Sequence, residues 1–351
     1  MQVIFDNIAF SLQRAGGISL YWYELIKRLR HKDDVYFFEF NNNNIFRENL
    51  DYDYKVESSI SHHILRYLPF IKKIPSKTIF HSSYYRIALQ KDVINIVTVH
   101  DFTYEYFRGG LAKYVHMLQK GIAIKRSAGI ICVSENTKKD LMCFFPEIQE
   151  SKIKVIYNGV GSEFKRINNS RDFLVDDLEV LKNKKYILFV GDRSGYKNFD
   201  LAIGVLDKLQ DYSFVVIGGE KNLGSKLNNI KRKIYHFRGV GGDKLNVLYN
   251  NAFCLLYPSS YEGFGIPIIE AMKAGCPVVS TNTSSIPEVA GDAALLVNEI
   301  TASCFIDEIK KLESDGFRNK IITKGIEQSG KFSWDKCFDE TYKFYQSIYN
   351  K

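Results

Sequence analysis

Residues 253–280 read Phe253-Cys-Leu-Leu-Tyr-Pro-Ser-Ser-Tyr-Glu-Gly-Phe-Gly-Ile-Pro-Ile-Ile-Glu-Ala-Met-Lys-Ala-Gly-Cys-Pro-Val-Val-Ser280. The stretch begins with an apolar run of strand length, crosses a loop that contains Gly263 and Gly265, and continues into a helix-compatible segment before a second apolar run. Pro267 fits the first helical position, and Gly275 fits the end of the helix. This order predicts a βαβ unit of a parallel α/β sheet.

The loop in this unit has the composition of a phosphate site. Gly263 and Gly265 allow the backbone to approach a ligand closely, and the free amides at the helix start, from Phe264 to Ile266, attract an anion. Glu262 lies before the helix and Glu270 inside it, so the two carboxylates can reach different parts of one ligand.

The block from Glu262 to Glu270 resembles the E-x7-E signature of retaining, nucleotide-sugar-dependent glycosyltransferases of family 4, which have the GT-B fold. The resemblance extends over nearly the whole chain. It includes Gly16-Gly17, His100-Asp101, residues 155–160, residues 189–198 and residues 284–289. It implies an α/β protein of two doubly wound Rossmann-like domains that face each other across a cleft.

Domain boundaries follow from length, pattern and this resemblance. A chain of 351 residues suits two domains. We predict an N-terminal acceptor-binding domain at 1–165, a C-terminal nucleotide-sugar-binding domain at 166–332, and a last helix at 333–351 that crosses back to the N-terminal domain. The polar stretch from Gly161 to Lys185 lacks periodicity and is interpreted as the linker.

The composition, 45% hydrophobic and 25% charged, is that of an average soluble globular protein. The N-terminus lacks a basic segment followed by a long apolar one, and no apolar span has transmembrane length. We therefore expect a cytoplasmic protein. The six cysteines show no C-x-x-C spacing and are interpreted as reduced thiols without a metal.

The candidate residues of the first half follow predicted strands. A loop after the first strand contains Gly16 and Gly17, and the apolar run 94–99 ends at His100. Open α/β sheets bind ligands at the carboxyl ends of their strands. The resemblance implies that Gly16 and Gly17 lie beside the donor diphosphate and the acceptor, and that His100 contacts the transferred sugar.

The second half supplies the remaining donor-binding candidates. Arg193 and Lys197 lie four residues apart in a glycine-containing loop after the strand at 186–190, where two cations can stabilise a departing diphosphate. By resemblance, Glu270 binds the ribose hydroxyls, Glu262 contacts the transferred sugar, and Val240 contacts the base through its backbone. The amides of Gly263, Phe264, Gly265 and Ile266 hold the diphosphate together with the two cations.

The resemblance implies a retaining hexosyltransferase with His100, Glu262, Arg193 and Lys197 as its catalytic set. Similarity to bacterial surface-polysaccharide mannosyltransferases favours mannose from GDP-mannose, transferred to a hydroxyl of a growing, lipid-linked O-antigen type glycan of lipopolysaccharide. Three alternatives are kept. The donor can be a UDP-hexose, the protein can be a nucleotide-sugar epimerase or phosphorylase on the same fold, or it can be a non-catalytic glycan- or lipid-binding module.

A metal and a cofactor are not required in this interpretation. Asp51-Tyr-Asp53 matches the Asp-x-Asp string that holds a metal in GT-A glycosyltransferases. The string lies in a polar, poorly patterned region and is interpreted as accidental, because cations and helix amides can neutralise the diphosphate.

A basic stretch runs from Ser58 to Lys91 without one acidic residue. Its apolar and aromatic residues alternate with six cations: Arg66, Lys72, Lys73, Lys77, Arg86 and Lys91. This pattern favours peripheral contact with the anionic cytoplasmic face of the inner membrane or with a lipid-diphosphate head group. A solvated face with an apolar side turned to the core is the alternative. No nucleic-acid-binding motif accompanies these charges, so no nucleic-acid partner is expected.

Overall fold

The computed structural model describes residues 1–32, 34–57, 61–219 and 234–351. Asp33 and residues 58–60, the latter at the start of the basic stretch, lie outside the described residues. The chain forms two compact units: unit 1 comprises Met1–Gly159 and Trp334–Lys351, and unit 2 comprises Val160–Ser333. The boundary therefore lies between Gly159 and Val160, where the sequence predicts 165/166.

Unit 1 contains a parallel sheet whose described strands follow the order β3-β2-β1-β4-β5-β6-β7. The strands are β1 (Val3–Asp6), β2 (Val35–Glu39), β3 (Lys55–Val56), β4 (Thr78–Ser82), β5 (Val93–Val99), β6 (Gly129–Cys132) and β7 (Ile153–Val155). The central strands are buried on both faces, which explains their continuous Val and Ile runs. The strand order reverses between β1 and β4, and this switch point is where such sheets bind ligands.

The helices of unit 1 are α1 (Ala9–Leu12), α2 (Gly17–Leu29), α3 (His62–Leu65), α4 (Thr103–Phe107), α5 (Gly110–Arg126), α6 (Glu135–Phe144) and the last helix, α13 (Trp334–Tyr349). Helix α13 packs on α2. The Ser134 hydroxyl accepts a hydrogen bond from the Thr137 amide at 3.0 Å and so caps α6.

Unit 2 contains a second parallel sheet, with the described order β10-β9-β8-β11-β12-β13. The strands are β8 (Tyr186–Val190), β9 (Ser213–Ile217), β10 (Ile234–Phe237), β11 (Cys254–Tyr257), β12 (Val278–Thr281) and β13 (Leu295–Val297). The order reverses between β8 and β11. The α/β fold with two Rossmann-like sheets is therefore confirmed.

The helices of unit 2 are α7 (Phe199–Lys208), α8 (Gly242–Asn251), α9 (Ile266–Lys273), α10 (Ile286–Ala290), α11 (Ala302–Lys311) and α12 (Asp315–Ser329). The segment 161–185, interpreted above as a linker, is instead part of this unit. It contains two 3-10 helices, Ser170–Phe173 and Asp176–Leu181. Its apolar residues Phe164, Leu174, Leu178 and Leu181 are buried. That interpretation was wrong, because Leu174, Leu178 and Leu181 recur at intervals of four and three residues, a helical spacing, within an otherwise polar stretch.

The basic stretch is not one amphipathic helix. Its described part contains the four-residue helix α3 and the strand β4, and Leu65, Phe70 and Ile74 belong to the core. Arg86 is also internal: its guanidinium donates to Asp6 Oδ2 at 2.9 Å and to Glu57 Oε1 at 2.6 Å. It was wrong to count Arg86 among the surface cations, since its two acidic partners lie outside the stretch.

Among the described helices, none combines the length and the apolar character that crossing a bilayer demands.

Candidate active site

The switch point of unit 2 joins the two loops that carry most of the candidates. The loop after β8 contains Arg193 and Lys197, and the loop after β11 contains Glu262. The Asn198 side-chain amide links them, since its Nδ2 donates to Pro258 O at 2.8 Å and to Ser260 Oγ at 2.7 Å. The two loops are therefore held together at the carboxyl ends of neighbouring strands.

Lys197 and Glu262 form an ion pair in this region. Lys197 Nζ donates to Glu262 Oε1 at 2.5 Å and to Tyr257 Oη at 3.2 Å. The two side chains are 13% and 11% exposed, respectively. Burial opposes the ammonium charge, but the Glu262 carboxylate more than compensates and raises the pKa of Lys197. Lys197 is thus held in its charged form at the carboxyl ends of β8 and β11.

Arg193 occupies the other side of the β8 loop. Its guanidinium lies 5.4 Å above the ring of Phe199, and a Cβ atom added at Gly219 would come within 3.2 Å of it. His236 Nε2 lies 2.7 Å from Gly218 O, which assigns the proton to that nitrogen. Arg193 Nη2 therefore lies 3.2 Å from the imidazole without donating to it. These contacts orient the guanidinium at the edge formed by β8, β9 and β10.

The loop from Glu262 to Gly265 is braced by two serines. Ser284 Oγ accepts from the Glu262 amide at 2.9 Å, and Ser285 Oγ donates to the carbonyls of Glu262 and Phe264 at 2.9 and 3.0 Å. Both serines lie in the block 284–289, which is part of the family resemblance but has no predicted role. Gly265 has a φ of 101°, a conformation that favours glycine, and α9 begins at the next residue.

The start of α9 gives the predicted amide positions, with one distinction among them. Phe264 is 4% exposed and packs edge-on against the ring of Phe332, so its side chain belongs to the core. Phe264 can therefore contribute only its backbone amide to diphosphate binding, the role predicted for residues 263–266. Ile266 is partly exposed, and Pro267 lies in the first turn.

Glu270 lies further along α9 and is 6% exposed. Its Oε2 accepts a hydrogen bond from Tyr249 Oη at 3.1 Å. Burial raises the pKa of the Glu270 carboxyl group to about 8, and nearby Glu163 acts in the same direction, while the Tyr249 hydrogen bond opposes both. Tyr249 comes from α8, and no local sequence signal indicates its contact with Glu270, because this contact depends on how α8 packs against α9.

Val240 is partly exposed in the short connection between β10 and α8. This connection follows an edge strand of the unit 2 sheet, whereas Lys197 and Glu262 follow central strands. Its contact with a nucleotide base stays a prediction.

The remaining candidates, Gly16, Gly17 and His100, belong to unit 1. Gly16 precedes α2, Gly17 is the first residue of that helix, and His100 follows β5 directly. The ring of Tyr21, from α2, contacts His100 edge-on with 5.0 Å between centroids. Burial lowers the pKa of His100 to about 4, although Asp101 acts to raise it. The imidazole is therefore neutral near pH 7 and can donate one hydrogen bond.

A cavity of about 240 Å³ opens beside His100. Its lining includes Gln13, Arg66, Asp101, Tyr104 and His116. The Nε2 atom of His100 is buried and has no hydrogen-bond partner among the described residues. Because a buried imidazole nitrogen without a partner is costly, this atom is suited to a ligand hydroxyl.

Asp51 and Asp53 are both exposed. Tyr52, between them, is turned towards Glu39 and Asn7. Within the described residues, no group of three or more His, Cys, Asp and Glu side chains could hold a metal ion. Whether the reaction needs a metal stays a prediction.

Two family models match the chain. The model described as Glycosyltransferase Family 4 matches residues 15–164, and the one described as Glycosyl transferases group 1 matches residues 170–328. This chain belongs to glycosyltransferase family 4. The predicted GT-B fold is confirmed by solved structures that cover the chain, among them sucrose-phosphate synthase from Thermosynechococcus elongatus, with a TM-score of 0.80 at 15% identity over 100% of both chains.

Among curated relatives of this family 4 chain, O-antigen chain mannosyltransferase B of Escherichia coli is 42% identical over 112 residues, which is 31% of this chain and 29% of that protein. O-antigen chain mannosyltransferase RfbU of Salmonella typhimurium is 29% identical over 250 residues, or 69% of this chain and 66% of that protein. The chain thus covers less than two thirds of the length of each of these relatives.

Proposed function

We propose that this family 4 chain transfers a mannosyl group from GDP-mannose to a hydroxyl of a growing, lipid-linked bacterial surface glycan, with retention of anomeric configuration. The observation that carries the proposal is the buried Lys197–Glu262 ion pair beside Tyr257 at the β8/β11 switch point. Mannose is chosen because the relatives in E. coli and S. typhimurium are named as O-antigen mannosyltransferases.

In this proposal unit 2 binds the donor. Lys197, Arg193 and the amides at the start of α9 neutralise the diphosphate, and their effect increases as the leaving group gains charge. The Glu262 carboxylate keeps Lys197 charged and in place, and it accepts a hydrogen bond from a hydroxyl of the transferred sugar. Glu270 accepts hydrogen bonds from the ribose hydroxyls once it is ionised.

Unit 1 supplies His100 and the cavity beside it. The neutral imidazole donates from Nε2 to a hydroxyl of the transferred sugar, and the cavity receives the acceptor sugar. The acceptor oxygen forms a bond to the anomeric carbon on the face from which the diphosphate leaves, while the bond from that carbon to the phosphate oxygen breaks. The acceptor proton passes to the departing phosphate, so no protein nucleophile takes part.

The first experiment is a thermal-shift screen of nucleotide sugars. A donor at about 100 times its Kd stabilises the folded protein by about 2.7 kcal/mol, which raises Tm by roughly 5–11 °C for a unit of this size. We expect the largest shift with GDP-mannose. A larger shift with a UDP-hexose would replace the donor but keep the reaction, and the absence of a shift with any nucleotide sugar would contradict the proposal.

The second experiment identifies the reaction with the donor that binds. We expect glycoside formation on a soluble glycan acceptor, with the donor's anomeric configuration retained by NMR, and little turnover without the acceptor. The alternative activities of this fold, epimerase or phosphorylase, would be indicated by epimerisation of the donor, by use of free phosphate, or by hydrolysis without an acceptor. Binding without turnover would indicate a glycan-binding module.

A further inference from the structure

Helix α5 has an inverted distribution of polar and apolar side chains. It buries His116 and Lys120, and Lys120 Nζ donates to Asp101 O and to Glu105 Oε2, each at 2.9 Å. Burial lowers the pKa of Lys120, but its acidic neighbours oppose this effect. The interior side of α5 thus includes a polar network around the Lys120 ammonium group.

The opposite side of α5 is an apolar stripe exposed to solvent. Leu111, Tyr114 and Leu118 are 79%, 68% and 68% exposed, and Val115 and Ile122 extend the stripe. The spacing of three or four residues places all five on one helix face. A soluble helix normally turns such a stripe towards the core, so a contiguous exposed stripe indicates a binding surface.

A shallow groove of about 360 Å³ continues this stripe. It is lined by Val115, Leu118 and Ile122 from α5 and by Tyr67, Leu68, Pro69 and Leu89 from the basic stretch. A hydrogen bond from Gln119 Nε2 to Arg66 O fixes the helix against that segment. We call this combined region the α5 surface: the exposed apolar residues of α5 together with residues 67–73 and Leu89.

The chain segments that form the α5 surface contain cations and no acidic residue. Residues 106–134 contain no acidic residue, and neither do residues 58–91. Lys72, Lys73, Arg108 and Arg126 are exposed there. Exposed apolar side chains flanked by these exposed cations are complementary to a bilayer with anionic head groups, because binding to such a bilayer uses both kinds of contact.

We propose that the α5 surface docks unit 1 on an anionic phospholipid bilayer. Leu111, Tyr114 and Leu118 enter the boundary between head groups and acyl chains, and Lys72 and Lys73 contact the head groups. This inference deepens the proposed function, since a lipid-linked acceptor would be met at the bilayer, but vesicle binding can be measured without any donor.

The test is co-sedimentation of the full chain with vesicles of phosphatidylcholine, with or without phosphatidylglycerol. Burial of a leucine side chain changes partitioning by about tenfold, so we expect Leu111→Gln/Leu118→Gln to weaken binding by roughly a hundredfold. The matched control is Phe173→Gln/Val175→Gln in unit 2, where both residues are also about half exposed. We expect this control to bind as the wild type does.

A charge variant separates the two contributions. Lys72→Ser/Lys73→Ser should weaken binding to phosphatidylglycerol vesicles by about twentyfold, and salt should weaken wild-type binding in the same way. The variant should bind pure phosphatidylcholine vesicles as weakly as the wild type does. Equal binding of the wild type to both kinds of vesicle would contradict the electrostatic part of the proposal.

Insertion is followed with Tyr114→Trp, whose emission should shift to shorter wavelength when anionic vesicles are added. The proposal is overturned if wild type does not sediment with these vesicles, or if the leucine variant binds as tightly as wild type. It is also overturned if the wild type self-associates in solution and the leucine variant does not, because the surface would then bind a second copy. Donor turnover with a soluble acceptor reports separately on the proposed function.

Discussion

Replacing Glu270 with glutamine tests whether the proposed donor site is maintained at a cost in stability. Glutamine keeps the size of the side chain and one acceptor oxygen but cannot ionise. Glu270 is buried against Tyr249, and the pKa of its carboxyl group is raised from 4.5 to about 8. The folded protein therefore keeps a proton that the unfolded chain releases.

The sign of the pH dependence follows from this difference. Below pH 4.5 the carboxyl group is protonated in both states and has no effect on the free energy of unfolding. As pH rises from 4.5 to about 8, the unfolded chain loses the proton first, so stability falls. At about 1.4 kcal/mol per pKa unit, the loss is at most about 5 kcal/mol and is complete once pH exceeds the folded pKa.

Urea denaturation at about pH 5 and about pH 9 measures the effect. We expect Glu270→Gln to become more stable relative to wild type as pH rises, by several kcal/mol over this range. Glu299→Gln is the control, because Glu299 is an exposed glutamate of the same unit. Its pH profile should run parallel to that of the wild type.

Donor affinity should change in the opposite direction from stability. Hydrogen bonds from the ribose hydroxyls to a charged carboxylate contribute about 1.5–3 kcal/mol, so Glu270→Gln should weaken donor binding by roughly ten- to a hundredfold. Wild-type affinity should increase as pH rises towards 8, since binding requires the ionised carboxylate. Parallel stability profiles for wild type and Glu270→Gln would refute the reasoning from burial, and an unchanged affinity would remove Glu270 from the donor site.

Three further predictions concern other parts of the chain. Arg193→Ala and Lys197→Ala should each lower kcat by one to three orders of magnitude, because each removes charge that stabilises the departing diphosphate. Steady-state kinetics measures this effect, and wild-type rates in both variants would exclude a diphosphate-stabilising role. Transfer should continue in excess EDTA, whereas strict dependence on Mn²⁺ or Mg²⁺ would revive the interpretation of Asp51-Tyr-Asp53 as a metal site. Arg86→Ala should destabilise unit 1 by about 3–5 kcal/mol in urea denaturation, because two buried carboxylates lose their partner; a loss below about 1 kcal/mol would show that they are solvated.

The βαβ unit at 253–280 could be predicted because its signals are local. Two apolar runs, a glycine loop and a proline lie next to one another in the chain, and they correspond to β11, α9 and β12. Gly265 at a φ of 101° and Gly275 at 77° occupy the left-handed region, which the sequence indicates by placing glycine there. The positions of Glu262 in a loop and Glu270 in a helix followed from the same local pattern.

The contacts between distant segments could not be predicted in this way. Lys197 and Glu262 were assigned to different parts of the ligand, yet they pair with each other, since the sheet order places β8 beside β11. Arg86 was counted with the surface cations because its partners Asp6 and Glu57 lie on other elements. In both cases the charge pattern along the chain gave the right residue types but not their partners.

The contacts of Lys120 in helix α5 affect the candidate site and the protein surface as well as the fold. Its sequence predicts an apolar stripe, and hydrophobicity alone would turn that stripe inwards. The structure instead turns Lys120 inwards, where Asp101 O and Glu105 satisfy its ammonium group beside the cavity at His100. Because a helix of this kind can bury only one of its two faces, the network that supports Asp101 leaves the leucines exposed. The same helix orientation therefore provides both the polar wall next to His100 and the apolar surface proposed to contact the bilayer.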